Sequence, residues 1–208
     1  MIKNLIKVAS FNTFIPIFYP ALMLPLRTFR KKAIGMLNFK SGDKVLIPGI
    51  GTGHDLPFIP DDVDVEGIDI SDVMLGIGKV KLKTKGSAAN RKINLVKMDA
   101  ENLKYPDATF DKAVLSLFLT VVFDPKAAMA EIVRVVKPGG EILVYDHLLS
   151  KNAVTNAVSK SIDNVLSYGF TNPARVLEDC IEGLPLSIIK TLPGDPIGFM
   201  KGYLLIRS

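Results

Sequence analysis

The chain is poor in the residues that build disulfides and metal centres. Its 208 residues include one cysteine, Cys180, two histidines and no tryptophan. A single cysteine excludes an internal disulfide and fits a reducing compartment. Two histidines without a cysteine cluster give none of the spacings typical of structural zinc, so we expect no metal. What the chain has instead is an apolar fraction of 48%, in a length that suits one domain with a sizeable core.

Acidic residues are missing from two stretches. None occurs before Asp43, although this segment holds seven bases: Lys3, Lys7, Arg27, Arg30, Lys31, Lys32 and Lys40. From residue 41 onward 19 basic and 21 acidic residues nearly balance, so the net charge of +5 belongs to the N-terminal segment. A second acid-free stretch, residues 73–98, also holds seven bases. Such segments favour an anionic partner (a membrane face, nucleic acid or an acidic substrate), or form a solvated lysine face.

A glycine-rich stretch follows a short apolar run at residues 44–48. Gly49, Gly51 and Gly53 alternate with other residues, and their lack of a Cβ atom lets a ligand approach the backbone closely. About 20 residues further on, Asp69 ends a second apolar run, where an acid can accept both hydroxyls of a ribose. This pairing predicts a cofactor that contains a nucleotide. The spacing Gly-x-Gly-x-Gly departs from the Gly-x-Gly-x-x-Gly of dinucleotide sites, which disfavours a nicotinamide cofactor.

Strand and helix patterns alternate along the chain. Strands are predicted at residues 44–48, 63–69, 93–98, 110–117 and 141–145, and helices at 27–39, 71–85, 124–136 and 152–168. A turn is predicted at 137–140, and residues 184–191 and 199–206 have the pattern of a terminal antiparallel pair. This order predicts an α/β fold, a doubly wound Rossmann-like and mostly parallel sheet with a C-terminal antiparallel hairpin.

Residues 1–40 are predicted to form an apolar and basic arm ahead of a domain over residues 41–208. Residues 2–9 have the apolar spacing of a short cationic amphipathic helix. A run of 19 uncharged residues, 8–26, approaches the length of a membrane span, but three prolines argue against a continuous helix, and no convincing signal-peptide cleavage site follows. We expect the arm to cover the cofactor site and touch an anionic membrane surface, or to be a flap that only completes the core.

Five motifs occur together in an order that resembles one family. They are Gly49-x-Gly51-x-Gly53; Asp69 with Ser71 and Met74-Leu75; Asp99-Ala100-Glu101-Asn102-Leu103; Phe110-Asp111; and Val136-Lys137-Pro138-Gly139-Gly140. Over residues 28–148 the chain resembles the class I S-adenosylmethionine methyltransferases, and within them the ubiquinone/menaquinone C-methyltransferases and bacterial phosphatidylethanolamine N-methyltransferases. The resemblance implies the same fold, S-adenosylmethionine as cofactor, and a lipid or small-molecule acceptor.

The resemblance also implies which residues hold the cofactor. Those for its methionine part are Gly49, Ile50, Gly51, Gly53, Ser116 and Leu117. Those for its ribose and adenine are Asp69, Ile70, Asp99 and Ala100. The family usually has an acid two residues before the first glycine, where this chain has Ile47. We expect Asp55, just past the glycines, to hold the amino group instead, or to be a plain helix cap.

The methyl transfer itself depends mainly on positioning, but an amine or phenol acceptor must also lose a proton. His147 follows the fifth predicted strand, where doubly wound sheets present residues to the cleft, and imidazole titrates near neutrality. His147 is therefore the candidate general base, although a histidine bonded into the loop would give the same pattern. Tyr19 in the arm is a second candidate, whose hydroxyl would position the acceptor. Tyr145 and Asp146 would then only orient the loop.

Several functions fit these observations. The first is methylation of a lipid or lipid-like acceptor, a phosphatidylethanolamine-type amine or a quinone, by a cytoplasmic protein on the inner face of a membrane. The others are methylation of a small soluble amine, thiol or phenol, non-catalytic binding of S-adenosylmethionine, and NAD-dependent oxidoreduction. Nucleic-acid methylation is disfavoured, because apolar residues at 117–120 stand where such enzymes have a catalytic loop of the Asn-Pro-Pro-aromatic type.

Overall fold

The computed structural model describes residues 26–85, 92–148, 175–194 and 200–208. The predicted arm up to residue 25, with Tyr19, and the helix predicted at 152–168 lie outside the described residues. The described ranges contain a sheet and the helices that cover it.

Seven strands form one sheet in this part of the chain. They are β1 (Lys44–Pro48), β2 (Asp64–Asp69), β3 (Ile93–Lys97), β4 (Phe110–Ser116), β5 (Val136–Asp146), β6 (Leu186–Leu192) and β7 (Lys201–Arg207). Their order across the sheet is β3-β2-β1-β4-β5-β7-β6. Strands β1 to β5 pair in parallel, and β7 lies antiparallel between β5 and β6. The predicted Rossmann-like sheet with an antiparallel C-terminal hairpin is confirmed.

The helices of the described ranges are α1 (Arg27–Ile34), α2 (Asp72–Lys85), α3 (Pro125–Val135) and α4 (Leu177–Ile181), with a 3-10 turn at Leu56–Phe58. Side-chain caps fix where two of them begin. The N–H of Met74 donates to Ser71 Oγ at 3.2 Å, as the sequence predicts. The N–H groups of Lys126 and Ala127 both donate to Asp124 Oδ1 at 3.0 Å, which starts α3 where it was predicted.

Both faces of the sheet are buried at its central strands. Successive residues of a strand point to opposite faces, so Leu46 of β1 joins one hydrophobic cluster and its neighbours Val45 and Ile47 join another. The first, the α3-side cluster, includes residues of α3 and α4. The second, the α1-side cluster, includes residues of α1 and α2. Burial on both faces explains the continuous apolar runs at residues 45–48 of β1 and 113–115 of β4.

The first helix differs from its prediction. The pattern predicts a helix over residues 27–39 with its bases facing outward, but α1 ends at Ile34. Arg30 is only 3% exposed, because it lies on the same helical face as the buried residues Ala33 and Ile34. The outward-facing prediction is therefore wrong for Arg30.

The fifth strand begins earlier than predicted. Phe110 of β4 pairs with Val136 and Lys112 pairs with Glu141. Between these two pairs β4 advances by two residues, whereas β5 advances by five. Residues 137–140 therefore bulge out between two paired flanks, and Gly139 has the positive φ (+74°) that the predicted turn requires. The short helix α4 is not predicted from the sequence.

Candidate cofactor site

The strand order reverses between β1 and β4, because the chain adds strands to one side of β1 and then to the other. In doubly wound sheets the ligand crevice lies at this switch point, beyond the carboxyl ends of the strands. The glycine turn follows β1, and residues Ser116 and Leu117 end β4. The topology therefore brings two of the predicted cofactor segments to one place.

The glycine turn uses the conformational freedom of its glycines. Gly49, Gly51 and Gly53 have φ values of +65°, +55° and +77°, which strain any residue with a Cβ atom. The N–H of Ile50 donates to the Ile68 carbonyl of β2 at 3.0 Å, which fixes the start of the turn against the neighbouring strand. The N–H of Gly53 donates to the Ile50 carbonyl at 3.0 Å and closes the turn.

Helix α2 packs against this turn. Lys81 Nζ donates to Thr52 Oγ1 at 2.8 Å, and Thr52 is buried. A Cβ atom on Gly78 would lie 3.4 Å from the carbonyl oxygen of Gly51, so the helix is in contact with the backbone of the turn. One base of the acid-free stretch at 73–98 therefore has a structural role at the site rather than a place on a solvated face.

Asp69 ends β2 beside the turn. Its Oδ2 accepts the N–H of Gly51 and its Oδ1 accepts the N–H of Ser71, both at 2.8 Å. Burial raises the pKa of this carboxyl, and the backbone N–H bonds only partly oppose the rise. A carboxylate oxygen can accept more than one hydrogen bond, so Asp69 retains acceptor capacity for hydroxyl groups while it orders the glycine turn.

The residues predicted for the adenine lie along the same edge. The N–H of Met98 donates to the carbonyl of Asp69 at 3.1 Å, which brings the loop after β3 next to the end of β2. In this loop Asp99 is exposed and accepts the N–H of Glu101 at 2.9 Å, and Ala100 is buried. Ile70, which follows Asp69 directly, is 36% exposed.

The end of β4 has an unusual backbone. Leu117 has φ +50°, an uncommon value for a residue with a side chain, and its N–H donates to the carbonyl of Tyr145 at 2.9 Å. Ser116 is buried and pairs with Tyr145 of the neighbouring strand β5. Such strain occurs mostly at functional sites, where neighbouring contacts hold the residue in place.

Asp55 lies at the far end of the glycine turn. It occupies the N-cap position of the 3-10 turn, but its side chain makes no capping bond, so a plain cap does not explain it. Its carboxylate instead lies 3.1 Å from Arg30 Nε of α1 and accepts the hydroxyl of Tyr145. Burial and the Asp55 charge raise the pKa of Tyr145 well above its usual value, so this hydroxyl keeps its proton. Sequence reasoning did not connect Arg30 to the site.

His147 is buried directly after β5. Its Nδ1 lies 3.0 Å from Asp146 Oδ1, so the imidazole and the carboxylate are direct neighbours. Asp146 is fully buried and also accepts the N–H of Thr120 at 3.1 Å and the Thr120 hydroxyl at 2.8 Å. The Asp146 side chain thus ties the end of β5 to the loop after β4.

A further residue that the sequence did not point to is Arg175. Its guanidinium donates to the carbonyls of Leu119, Val122 (2.7 Å) and Phe123 (3.0 Å). Burial lowers the pKa of Arg175, but the guanidinium stays charged. Arg175 therefore holds the loop after β4 from outside the sheet, and no motif could have shown this.

Comparisons with known proteins agree with this geometry. The model of the family described as "Methyltransferase domain" matches residues 46–144. The chain is 33% identical over 142 residues to a "Phosphatidylethanolamine N-methyltransferase" of Cereibacter sphaeroides, covering 67% of this chain and 68% of that protein. It is 38% identical over 125 residues to a "Ubiquinone/menaquinone biosynthesis C-methyltransferase UbiE" of Francisella philomiragia, covering 58% of this chain and 49% of that protein. The chain thus spans about two thirds of the first relative and about half of the second.

A solved structure shares the fold. A SAM-dependent methyltransferase from Aquifex aeolicus superposes with a TM-score of 0.70 at 18% identity, covering 94% of this chain and 100% of that chain. The site described above fits S-adenosylmethionine, because three left-handed glycines leave the turn at the switch point without Cβ atoms and a carboxylate with spare acceptor capacity ends β2. S-adenosylmethionine is the cofactor, which removes the nicotinamide alternative, and the chain belongs to the class I S-adenosylmethionine-dependent methyltransferases.

Proposed function

We propose that this methyltransferase acts on a lipid or lipid-like acceptor, a phosphatidylethanolamine-type amine or a quinone, at a membrane surface. The observation that carries the proposal is the 33% identity over about two thirds of both chains to a protein named for phosphatidylethanolamine. The second relative is named for ubiquinone and menaquinone biosynthesis, so the names of both relatives refer to lipids of membranes.

The described residues at the carboxyl edge of β4 and β5 support an apolar acceptor. Leu117 and Phe118 follow β4, Leu148 follows β5, and Met200 precedes β7, whose first residue pairs with Asp146. Phe118, Leu148 and Met200 are buried and Leu117 is partly exposed, so the surroundings of this edge are mainly apolar. Such surroundings would suit an acyl or isoprenoid chain better than a polar metabolite.

The roles of the cofactor residues are part of the proposal. Backbone groups of the glycine turn and the end of β4 would hold the methionine part, Asp69 the ribose, and Ile70, Asp99 and Ala100 the adenine. Bound S-adenosylmethionine supplies a methyl group on a sulfonium, which is already activated for displacement. The remaining task of the chain is to align the acceptor and to keep water out.

We propose that His147 is the base that accepts the proton lost by the acceptor. An amine must lose its proton before it can attack, and a quinol hydroxyl must do so for its ring to attack. A proton taken up by His147 would be stabilised by Asp146, whose Oδ1 lies 3.0 Å from the imidazole Nδ1. Tyr19 remains the second candidate, for positioning the acceptor.

The arm, residues 1–40, is proposed as the membrane contact, with the methyltransferase domain at residues 41–208. No helix among the described residues has the length and apolarity needed to cross a bilayer. The basic residues of the arm other than the buried Arg30 would bind the anionic inner face of a membrane peripherally, at about 1 kcal/mol per lysine or arginine near the surface.

The test is transfer of radiolabelled methyl from S-adenosylmethionine into a cell extract that is then split into lipid and aqueous fractions. We expect label in the lipid fraction, where chromatography separates phospholipid from quinone. His147→Asn should reduce this label strongly without changing cofactor affinity. Label only in aqueous products would refute the lipid proposal in favour of a small soluble acceptor. Absence of label in both fractions, with cofactor still bound, would favour non-catalytic binding.

A further inference from the structure

Three residues distant in sequence meet at one buried carboxylate. Arg30 of α1 and Asp55 of the glycine turn are each 3% exposed, and Arg30 Nε lies 3.1 Å from Asp55 Oδ1. The hydroxyl of Tyr145, at the end of β5, donates to the same carboxylate oxygen. The Arg30 guanidinium also lies 6.0 Å from the centroid of the Tyr145 ring. We call these three residues the Asp55 cluster.

Stability alone does not explain the Asp55 cluster. Removing two charges from water costs several kcal/mol per ion, and replacing a buried pair with apolar residues is often neutral or stabilising. The Asp55 cluster borders the α1-side hydrophobic cluster, which includes Tyr145 and also Phe29, the neighbour of Arg30 in the sequence. Apolar side chains would therefore fit this environment. A buried pair does, however, fix the relative position of the elements that carry it.

The elements joined by the Asp55 cluster surround the cofactor turn. Asp55 lies two residues after Gly53, and the carbonyl of Tyr145 accepts the N–H of Leu117, just past the end of β4, at 2.9 Å. The cluster therefore connects the glycine turn, the ends of β4 and β5, and α1. It does so in a chain whose β1 has the apolar Ile47 where the family resemblance implies an acid.

We propose that Arg30 and Tyr145 are positioning residues that hold Asp55, and through it the glycine turn, in the conformation that binds S-adenosylmethionine. Asp55 then acts by anchoring the turn, because its carboxylate is enclosed by Arg30 and Tyr145. Helix α1, which precedes the sheet, is by the same contact part of the cofactor site. Binding of the cofactor and docking of α1 must then stabilise each other, because coupling between sites is reciprocal.

The first test is Tyr145→Phe, which removes one hydroxyl and keeps the ring packed. Calorimetric titration of the full chain with S-adenosylmethionine should give a Kd about tenfold weaker, or about 1.4 kcal/mol. Tyr105→Phe is the matched control, because the Tyr105 hydroxyl also donates to a carboxylate, Glu66 Oε1 at 2.7 Å, outside the cluster. The control should leave the Kd unchanged.

The second test separates positioning from folding. Arg30→Lys keeps the charge but not the planar fork, and it should also weaken the Kd while titration stoichiometry stays that of a fully folded protein. A wild-type Kd in both Tyr145→Phe and Arg30→Lys overturns the proposal. A reduced stoichiometry with a wild-type Kd also overturns it, because the cluster would then support folding only.

Hydrogen exchange supplies a readout independent of binding constants. Saturating S-adenosylmethionine should slow amide exchange in α1 of the wild-type chain, and this protection should shrink in Tyr145→Phe. Protection of α1 that is equal in the wild type and the variant would contradict the proposed coupling. These outcomes concern cofactor binding, so they are independent of the identity of the methyl acceptor.

Discussion

Replacing Gly49 with alanine tests the geometry of the cofactor turn most directly. Gly49 has φ +65°, and a Cβ atom there would lie 2.8 Å from Cδ2 of the Phe118 ring. The left-handed conformation costs a residue with a Cβ about 1–2 kcal/mol. Overpacking against a buried ring adds about 1–3 kcal/mol, at the lower end if the ring can shift. We expect Gly49→Ala to lose about 2–5 kcal/mol of unfolding free energy.

Gly42 supplies the matched control. It has a similar φ of +81°, but a Cβ atom there would meet nothing within 4 Å, so alanine costs only the backbone strain. Urea denaturation should show Gly49→Ala to be less stable than Gly42→Ala by about 1–3 kcal/mol at equal m-values. Titration with S-adenosylmethionine should show weakened binding only for Gly49→Ala. Equal losses of stability in the two variants would refute the inferred contact with Phe118.

Three further predictions follow from single residues. Gly76→Ala, on the exposed face of α2 where a Cβ meets nothing, should raise the unfolding free energy by about 0.5–1 kcal/mol in urea denaturation; a loss would contradict this. Thr120→Val should lower it by about 1–3 kcal/mol, because buried Asp146 loses a hydroxyl donor at 2.8 Å, while Thr120→Ser should be much milder. Because burial raises the pKa of Asp69, its carboxylate takes up a proton at a pH above the usual pKa of about 3.9. Once protonated, the carboxyl group ceases to accept hydroxyls. Titration with S-adenosylmethionine at falling pH should show affinity lost earlier than an ordinary aspartate would cause, and Asp69→Asn should bind more weakly at pH 7 without that added acid-side loss.

The sheet could be predicted because its signals are local. β1 and β2 end where the sequence places them, at Pro48 and Asp69, since the apolar run and the glycine or acid after it mark the boundary without tertiary context. The start of β5 could not be placed, because the pairing of Val136 with Phe110 depends on a strand more than 20 residues away in the chain. Helix α4, with five residues, is too short for its periodicity to be recognised.

The residues of the candidate site also fall into two groups: those that the sequence indicates and those that only the fold shows. Residues that a loop presents directly, such as Asp69 and the glycines, are visible in the sequence because their chemistry and spacing are both local. Arg30 and Arg175 are not, because each acts on a segment at least 25 residues away, and an arginine on a short helix or loop reads as a solvated charge. Only the fold shows that both guanidiniums are directed inward.

We relate two features of the chain to each other: the apolar Ile47 of β1, where the family resemblance implies an acid, and the buried Arg30 of α1. Position 47 points into the α1-side cluster and is fully buried, so an acid there would need a partner inside the sheet. In this chain Asp55 lies eight residues later, and Arg30, which pairs with it, comes from a helix outside the sheet. Introducing Ile47→Asp without removing Asp55 would therefore bury a second carboxylate in the α1-side cluster, and we expect it to destabilise the fold rather than to improve cofactor binding. If Ile47→Asp instead tightened S-adenosylmethionine binding and rescued Asp55→Asn, an acid at position 47 would serve cofactor binding better than Asp55 does. The Asp55 cluster would then not replace that acid.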